Sequence, residues 1–281
     1  PTLPGSVFAP GLWQASGKPS VALGTGRIMT SPAAERQMLF SYVADPQVDF
    51  IGKRLAGWYN LNLLDSLPKV NGALTLRPAM FDRLERWIYF TPGTSCSEGL
   101  LDFLSAAWVS DPVNATKWIA RTNHLPVITA GQRPEFLDDE KAFAAVTAAD
   151  FNPRAVVFLP ESAQKSITVS NQTRCTVKLI RFGQNEVEAE VLAEAPSLVV
   201  LSQSYYHHWH AEVDGRETPL FRANTAFQAL QVPGGKHHLK LVYRDPWLLT
   251  GLGISGVSLV LCGILWLRRP GEKLDRPTDG N

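Results

Sequence analysis

The sequence predicts an α+β fold: a small α/β domain, then an antiparallel β-sandwich, then one C-terminal transmembrane helix. Three observations carry this. Strand-like and helix-like segments alternate up to about residue 160, the pattern of an α/β domain with a small mixed sheet. From Glu161 the apolar period changes to two, with Glu186, Glu188 and Glu190 alternating with Val187, Ala189 and Val191. From Trp247 to Leu267, 21 residues, none is charged, and at helical rise such a run covers about 31 Å, one hydrocarbon core. The division that follows is 1–25 linker or loop, 26–160 α/β domain, 161–245 β-sandwich, 247–267 membrane span and 268–281 tail.

Composition sets outer bounds. The 281 residues suffice for two modest domains and a span, and 27 Lys and Arg against 26 Asp and Glu leave a net charge of +1. That balance leaves no broad basic footprint, so nucleic acid is excluded as a partner. Three cysteines are scattered at 96, 175 and 262. Cys262 reads as a packing residue inside the span, and the sequence leaves open whether Cys96 and Cys175 pair, two free thiols being the simpler reading. Neither CxxC, HExxH nor a zinc spacing occurs, and no cofactor is expected.

Residues 1–25, rich in Pro, Gly and Ser, read as a linker. Gly26–Ser31 is a short strand, after which Ser31-Pro32 supplies an N-cap and a first-turn proline for a helix through Ala44. Pro78 opens a helix to about Tyr89 with Met80, Leu84, Trp87 and Ile88 on one face. Strands follow at Lys117–Arg121 and Leu125–Ala130, a helix at Asp138–Thr147 and an apolar run at Ala155–Leu159. In the sandwich, Phe182–Asn185, Asp214-Gly215 and Pro233–Gly235 are expected to turn three hairpins, and Leu239, Leu241 and Tyr243 to face the core.

The chain also carries a family likeness, most specific in its last third. Tyr205-Tyr206-x-x-Trp209, Val213-Asp214-Gly215, Arg222-Ala223-Asn224, Phe227, Val232-Pro233-x-Gly235-x-His237 and Tyr243-Arg244 before the span resemble the C-terminal region of the YfhO family of bacterial membrane proteins. The resemblance continues upstream in order over most of the chain, where it implies a loop at Trp58–Leu64, a tight turn at Asn71-Gly72, and a helix over Leu100–Leu104 running into a strand at Ala107–Val109. Those multi-pass proteins are similar to glycosyltransferases that use lipid-linked sugars. The resemblance implies an accessory region that positions an extracytoplasmic glycan or lipid acceptor. Its implied partners are membrane lipid, the remaining membrane helices of a parent protein, and a glycan or polyprenyl-phosphate sugar. The alternative is a membrane-anchored glycan-binding or structural module without catalysis. Related enzymes keep their catalytic acids near the first membrane helices, so no catalytic residue is carried over.

The chain begins Pro-Thr-Leu-Pro with neither Met nor a signal pattern, and the expectation is a C-terminal piece of a longer multi-pass protein. Arg268, Arg269 and Lys273 beyond the span suggest a cytoplasmic tail. Lys236, Lys240 and Arg244 weaken that charge bias, and the resemblance decides for an extracytoplasmic soluble region in the inner membrane, pinned at its face.

Several constellations have bland readings. Gly251-x-Gly253-x-x-Gly256 matches a dinucleotide fingerprint, but it sits inside an unbroken apolar span and reads as a smooth helix face. His207, His208 and His210 have no adjacent carboxylate to complete a metal shell and read as turn residues. Glu135, Asp138, Asp139 and Glu140 read as compensation of a helix N-terminus. Asn114-Ala-Thr116 and Asn171-Gln-Thr173 read as chance sequons. The candidate glycan-binding residues are Tyr205, Tyr206 and Trp209, whose flat rings suit sugar stacking and core packing alike. Trp247 and Trp266 read as interface-belt residues.

Overall fold

A computed structural model describes residues 3–73, 76–91 and 96–267. The chain divides into two units, Pro1–Tyr243 and Arg244–Asn281.

The N-terminal stretch departs from the linker reading. A 3-10 turn at Gly5–Phe8 precedes a short helix, α1 (Leu12–Ala15), and Trp13 is fully buried. An ion pair holds it there. Arg54 donates from Nε and Nη2 to the two oxygens of Asp65, each at 2.9 Å, and both side chains are completely buried. Two further guanidinium hydrogens go to the carbonyls of Val7 at 2.5 Å and Ala9 at 2.7 Å, while Asp65 accepts from the Gly11 amide at 2.9 Å. A Pro/Gly-rich composition hides this because the contacts span some 50 residues.

β1 (Arg27–Met29) is followed by α2 (Pro32–Phe40), whose N-cap Ser31 accepts from the Ala34 amide with Pro32 in the first turn. That helix ends at Phe40, four residues short of expectation. Asp45 and Pro46 then start a helix the periodicity did not announce, α3 (Pro46–Leu55). A 3-10 turn at Leu61–Asp65 leads towards α4 (Ala79–Phe90), with residues 71–73 as irregular chain tied by both amide atoms of Asn60 to Ala73 rather than as a tight turn. α5 (Glu98–Phe103) runs into β2 (Ala106–Ser110), which pairs parallel with β1 and antiparallel with β3 (Trp118–Ala120). β4 (Ile128–Ala130) comes next. β5 (Arg133–Leu137), α6 (Asp139–Thr147) and β6 (Val156–Pro160) form a β-α-β unit with parallel strands, and β5 was not foreseen.

Eight further strands make the sandwich: β7 (Cys175–Phe182), β8 (Glu186–Ala193), β9 (Ser197–Leu201), β10 (Trp209–Val213), β11 (Arg216–Thr218), β12 (Phe221–Ala223), β13 (Phe227–Val232) and β14 (Gly235–Tyr243). The five-stranded sheet has the order β11-β10-β14-β8-β7 and the four-stranded one β12-β13-β9-β4. Their shared core contains Val187, Ala189, Val191, Val199, Leu201, Leu230, Leu239 and Leu241. Alternation along β8 and β14 places these side chains as the period of two requires.

Two of the three expected hairpins form. Residues 183–185 join β7 to β8, and Asp214 (φ 53°) with Gly215 (φ 76°) makes a two-residue turn from β10 to β11, the positive-φ pair that a hairpin of this length favours. Pro233-Gly234 does not. It carries the chain from β13 in one sheet to β14 in the other, since β13 pairs with β9 and β12 and β14 with β8 and β10. A corner and a hairpin call for the same turn residues, so sequence cannot separate them.

β9 is buried at every position. Val199 and Leu201 face the sandwich core, whereas Leu198 and Val200 face a second core with Phe103, Phe151, Phe158, Leu84 and Val146. The four-stranded sheet is therefore a middle layer between the other sheet and helices α4, α5 and α6. Both core and sheet cross the expected boundary at residue 160, because β4 pairs antiparallel with β9.

In the second unit α7 (Pro246–Leu267) is the one helix among the described residues long and apolar enough to span a membrane, by length and composition. The glycines 251, 253 and 256 all lie within it. The tail 268–281, with Arg268, Arg269 and Lys273, lies outside the described residues.

Candidate functional site

Tyr205–His208 form the connection from β9 to β10. The Tyr205 amide donates to the Ala226 carbonyl at 2.8 Å, and the Trp209 amide closes a turn on the Tyr206 carbonyl at 3.0 Å. Trp209, the first residue of β10, is 9 % exposed and packs into the sandwich core. Tyr206 is 39 % exposed and Tyr205 half-buried. A residue absent from the candidate set joins them. Tyr243 stacks on Tyr206 with centroids 6.3 Å apart and rings inclined by 20°, and meets Trp209 edge-on at 5.7 Å. His207 and His208 extend the cluster at 4.3 Å and 5.2 Å from the Tyr206 ring. Among the described residues no group of His, Cys, Asp or Glu is arranged to hold a metal. The three cysteines are free, and burial pushes the Cys96 thiol up to about 12.

The acidic cluster at α6 caps the helix and ties it down. Asp138 accepts from the Lys141 amide at 2.8 Å, Asp139 pairs with Arg222 of β12, and Glu140 takes a fork from Arg83 of α4 at 2.6 and 2.7 Å.

A second polar site lies between α2, α4 and the chain at 71–73. Glu35, Tyr59, Asn71, Arg77, Glu85 and Phe90 wall a cavity of about 80 Å³. Burial raises the Glu35 carboxyl above its usual range, against the opposing pull of Lys69, and burial lowers the Lys69 ammonium to about 8. Lys69 donates to the Tyr59 carbonyl at 3.1 Å. Glu85 is ion-paired with Arg77, and its side chain is only 8 % exposed. Behind them Tyr89 donates to the Thr30 carbonyl at 3.1 Å. Tyr59 has φ 48°, a conformation that costs a non-glycine residue on the order of 1 kcal/mol or more. Sequence reasoning missed this site because no motif spacing marks it. The available signal was Glu85, one residue from Leu84 and four from Tyr89 on the buried face of α4.

Nearby, Phe8, Phe50, Trp58 and Leu63 line an open apolar groove of about 670 Å³.

Residues 154–255 match the family described as bacterial membrane protein YfhO. This stretch belongs to the YfhO family. The matched YfhO segment takes in β6 to β14 and enters α7, and with that apolar helix the chain is a membrane protein in contact with lipid. Within it the Arg222-Ala223-Asn224 sequence has a structural task. Asn224, 1 % exposed with φ 43°, accepts from the Phe158 amide at 2.9 Å and returns its own amide to the Phe158 carbonyl at 2.8 Å. That reciprocal pair fastens the YfhO sandwich to β6. No curated protein and no solved structure matches the chain.

Proposed function

We propose that the soluble unit is the extracytoplasmic accessory region of a multi-pass protein resembling lipid-linked-sugar glycosyltransferases, and that it positions a glycan or lipid acceptor. The observation that supports this most is the YfhO segment itself, which covers the sandwich and continues into the membrane helix. Within this reading the remaining membrane helices of the parent and a polyprenyl-phosphate sugar are partners, and catalysis belongs to the parent.

Tyr206 is the acceptor contact in this reading, and Tyr205 flanks it, while Trp209 supports the cluster from the core. Stacking a sugar on an exposed ring contributes on the order of 1 kcal/mol, whereas truncating a buried tryptophan costs about 3–5 kcal/mol. In the full-length parent, Tyr206→Ala is expected to melt normally and to form several-fold less product. Trp209→Ala is expected to lower the melting temperature. Unchanged product formation by Tyr206→Ala would point instead to a membrane-anchored structural module.

A further inference from the structure

The cavity between α2 and α4 is unusual in what its walls lack. Glu35 Oε2 and Asn71 Oδ1 are buried and accept no hydrogen bond, while Glu85 Oε2 beside them is held by Arg77. A buried acceptor without a donor costs roughly 1–3 kcal/mol, and two around one space call for a guest that brings donors. Their charges are already offset, Glu85 by Arg77 and Glu35 by Lys69. A guest with its own negative charge would set acceptors against acceptors, and a cation would compete with two resident ones. Neutral O–H donors suit these walls.

Size and surroundings agree. About 80 Å³ is the room of two or three waters, which is also the room of two adjacent hydroxyl groups. The cavity shares Arg77, Glu85 and Phe90 with an open trough of about 450 Å³. Phe90 is 64 % exposed and Tyr59 41 % exposed, so each offers a flat apolar face beside the polar cleft. Hydrogen-bond acceptors for hydroxyl groups next to rings for C–H faces are the two requirements of a pyranose.

We propose that the cavity and trough form a binding site for a neutral sugar ring, with Glu35 and Asn71 accepting from vicinal hydroxyls, the Arg77–Glu85 pair forming the wall beside them, and Tyr59 and Phe90 covering its apolar face. This rests on the reading that the soluble unit holds a glycan acceptor, and it names a second place on that unit where the glycan is gripped.

The full chain in lipid nanodiscs is titrated with D-glucose, D-galactose and N-acetylglucosamine, with binding followed by saturation-transfer NMR. At least one hexose is expected to bind. Glu35→Gln keeps the side-chain shape and is expected to weaken binding about tenfold, the equivalent of one hydrogen bond to a charged group. Phe90→Ala alters an exposed ring and is expected to weaken binding several-fold with an unchanged melting temperature. No hexose binding overturns the proposal and leaves the cavity to water. Binding that survives both substitutions but is lost in Tyr206→Ala also overturns it, while the acceptor reading stands. Binding lost in Glu35→Gln with product formation by the parent unchanged supports this site and overturns the acceptor reading.

Discussion

Single residues decide how the first 65 positions fold. Arg54 and Asp65 are both withdrawn from water, and every polar hydrogen of the fork that has a named partner goes to Asp65 or to the carbonyls of Val7 and Ala9. Removing one partner leaves the other charge buried and alone. Arg54→Ala is therefore expected to destabilise the soluble unit by about 3–5 kcal/mol, read as a lower denaturant midpoint, and to expose the chain near Trp13 to protease. An Arg54→Ala midpoint equal to wild type would show that residues 5–16 hold without the pair. Lys69 acts through protonation. Its ammonium titrates at about 8 when folded against 10.5 as the ordinary value, so between these the unfolded chain keeps a proton that the folded chain has released. Stability then rises with pH across that window. For a half-buried group the rise is on the order of 1–2 kcal/mol from about pH 8 to pH 10. The Cys96 thiol, pushed up to about 12 from 9.0 by burial, opposes it from about pH 9, and the Tyr89 hydroxyl, also raised by burial, above about 10, so the Lys69 contribution is read between about pH 8 and 9 as the difference between wild type and variant. Lys69→Met should flatten the slope, and an equal slope in the variant would assign it elsewhere.

Among the elements, α5 shows how closely backbone can be packed. A methyl group on Gly99 would collide with the Phe151 carbonyl oxygen and press on Pro153. Gly99→Ala is expected to cost about 1–3 kcal/mol by overpacking, although alanine is the better helix former. A variant as stable as wild type would mean that the segment at 151–153 yields freely. Elements whose signals are local were legible in the sequence. Ser31-Pro32 starts α2, Asp138 caps α6, the glutamate alternation marks β8, and Asp214-Gly215 turns β10 into β11. Elements defined by distant partners were not. β5 exists because Arg133–Leu137 finds β6 across α6, and the turn at 233–234 becomes a corner because β13 has β9 beside it.

For the whole molecule, the testable matter is topology across the membrane. A cysteine replacing Asp279, beyond the described residues, should resist an impermeant thiol reagent in intact cells if the tail is cytoplasmic. Labelling would reverse the proposed orientation. A chain ending at residue 245 is expected to fold and remain soluble, since Pro1–Tyr243 is a unit with its own cores, and to turn over no polyprenyl-phosphate sugar. The sandwich segment 161–245 alone would lose β4 from its middle sheet and the helices that cover Leu198 and Val200. It is expected to express as an aggregating or molten species, and a cooperative melt from that piece would favour an independent sandwich domain.

By itself the sequence determined what depends on neighbours along the chain. Hydrophobic period, turn chemistry and an uncharged apolar run each act over fewer than about 25 residues, and together they set an α+β chain with a β-sandwich and a membrane helix. Its C-terminal third also carried the likeness that the YfhO match bears out. Tertiary structure decided what depends on which segments meet. The Arg54–Asp65 fork, the Asn224 clasp on Phe158 and the burial of both faces of β9 join residues from 11 to 66 positions apart or more. The polar cavity belongs to the same class. Glu35, Asn71 and Glu85 share no motif, and only packing of α2 against α4 sets two unmet acceptors beside an ion-paired carboxylate.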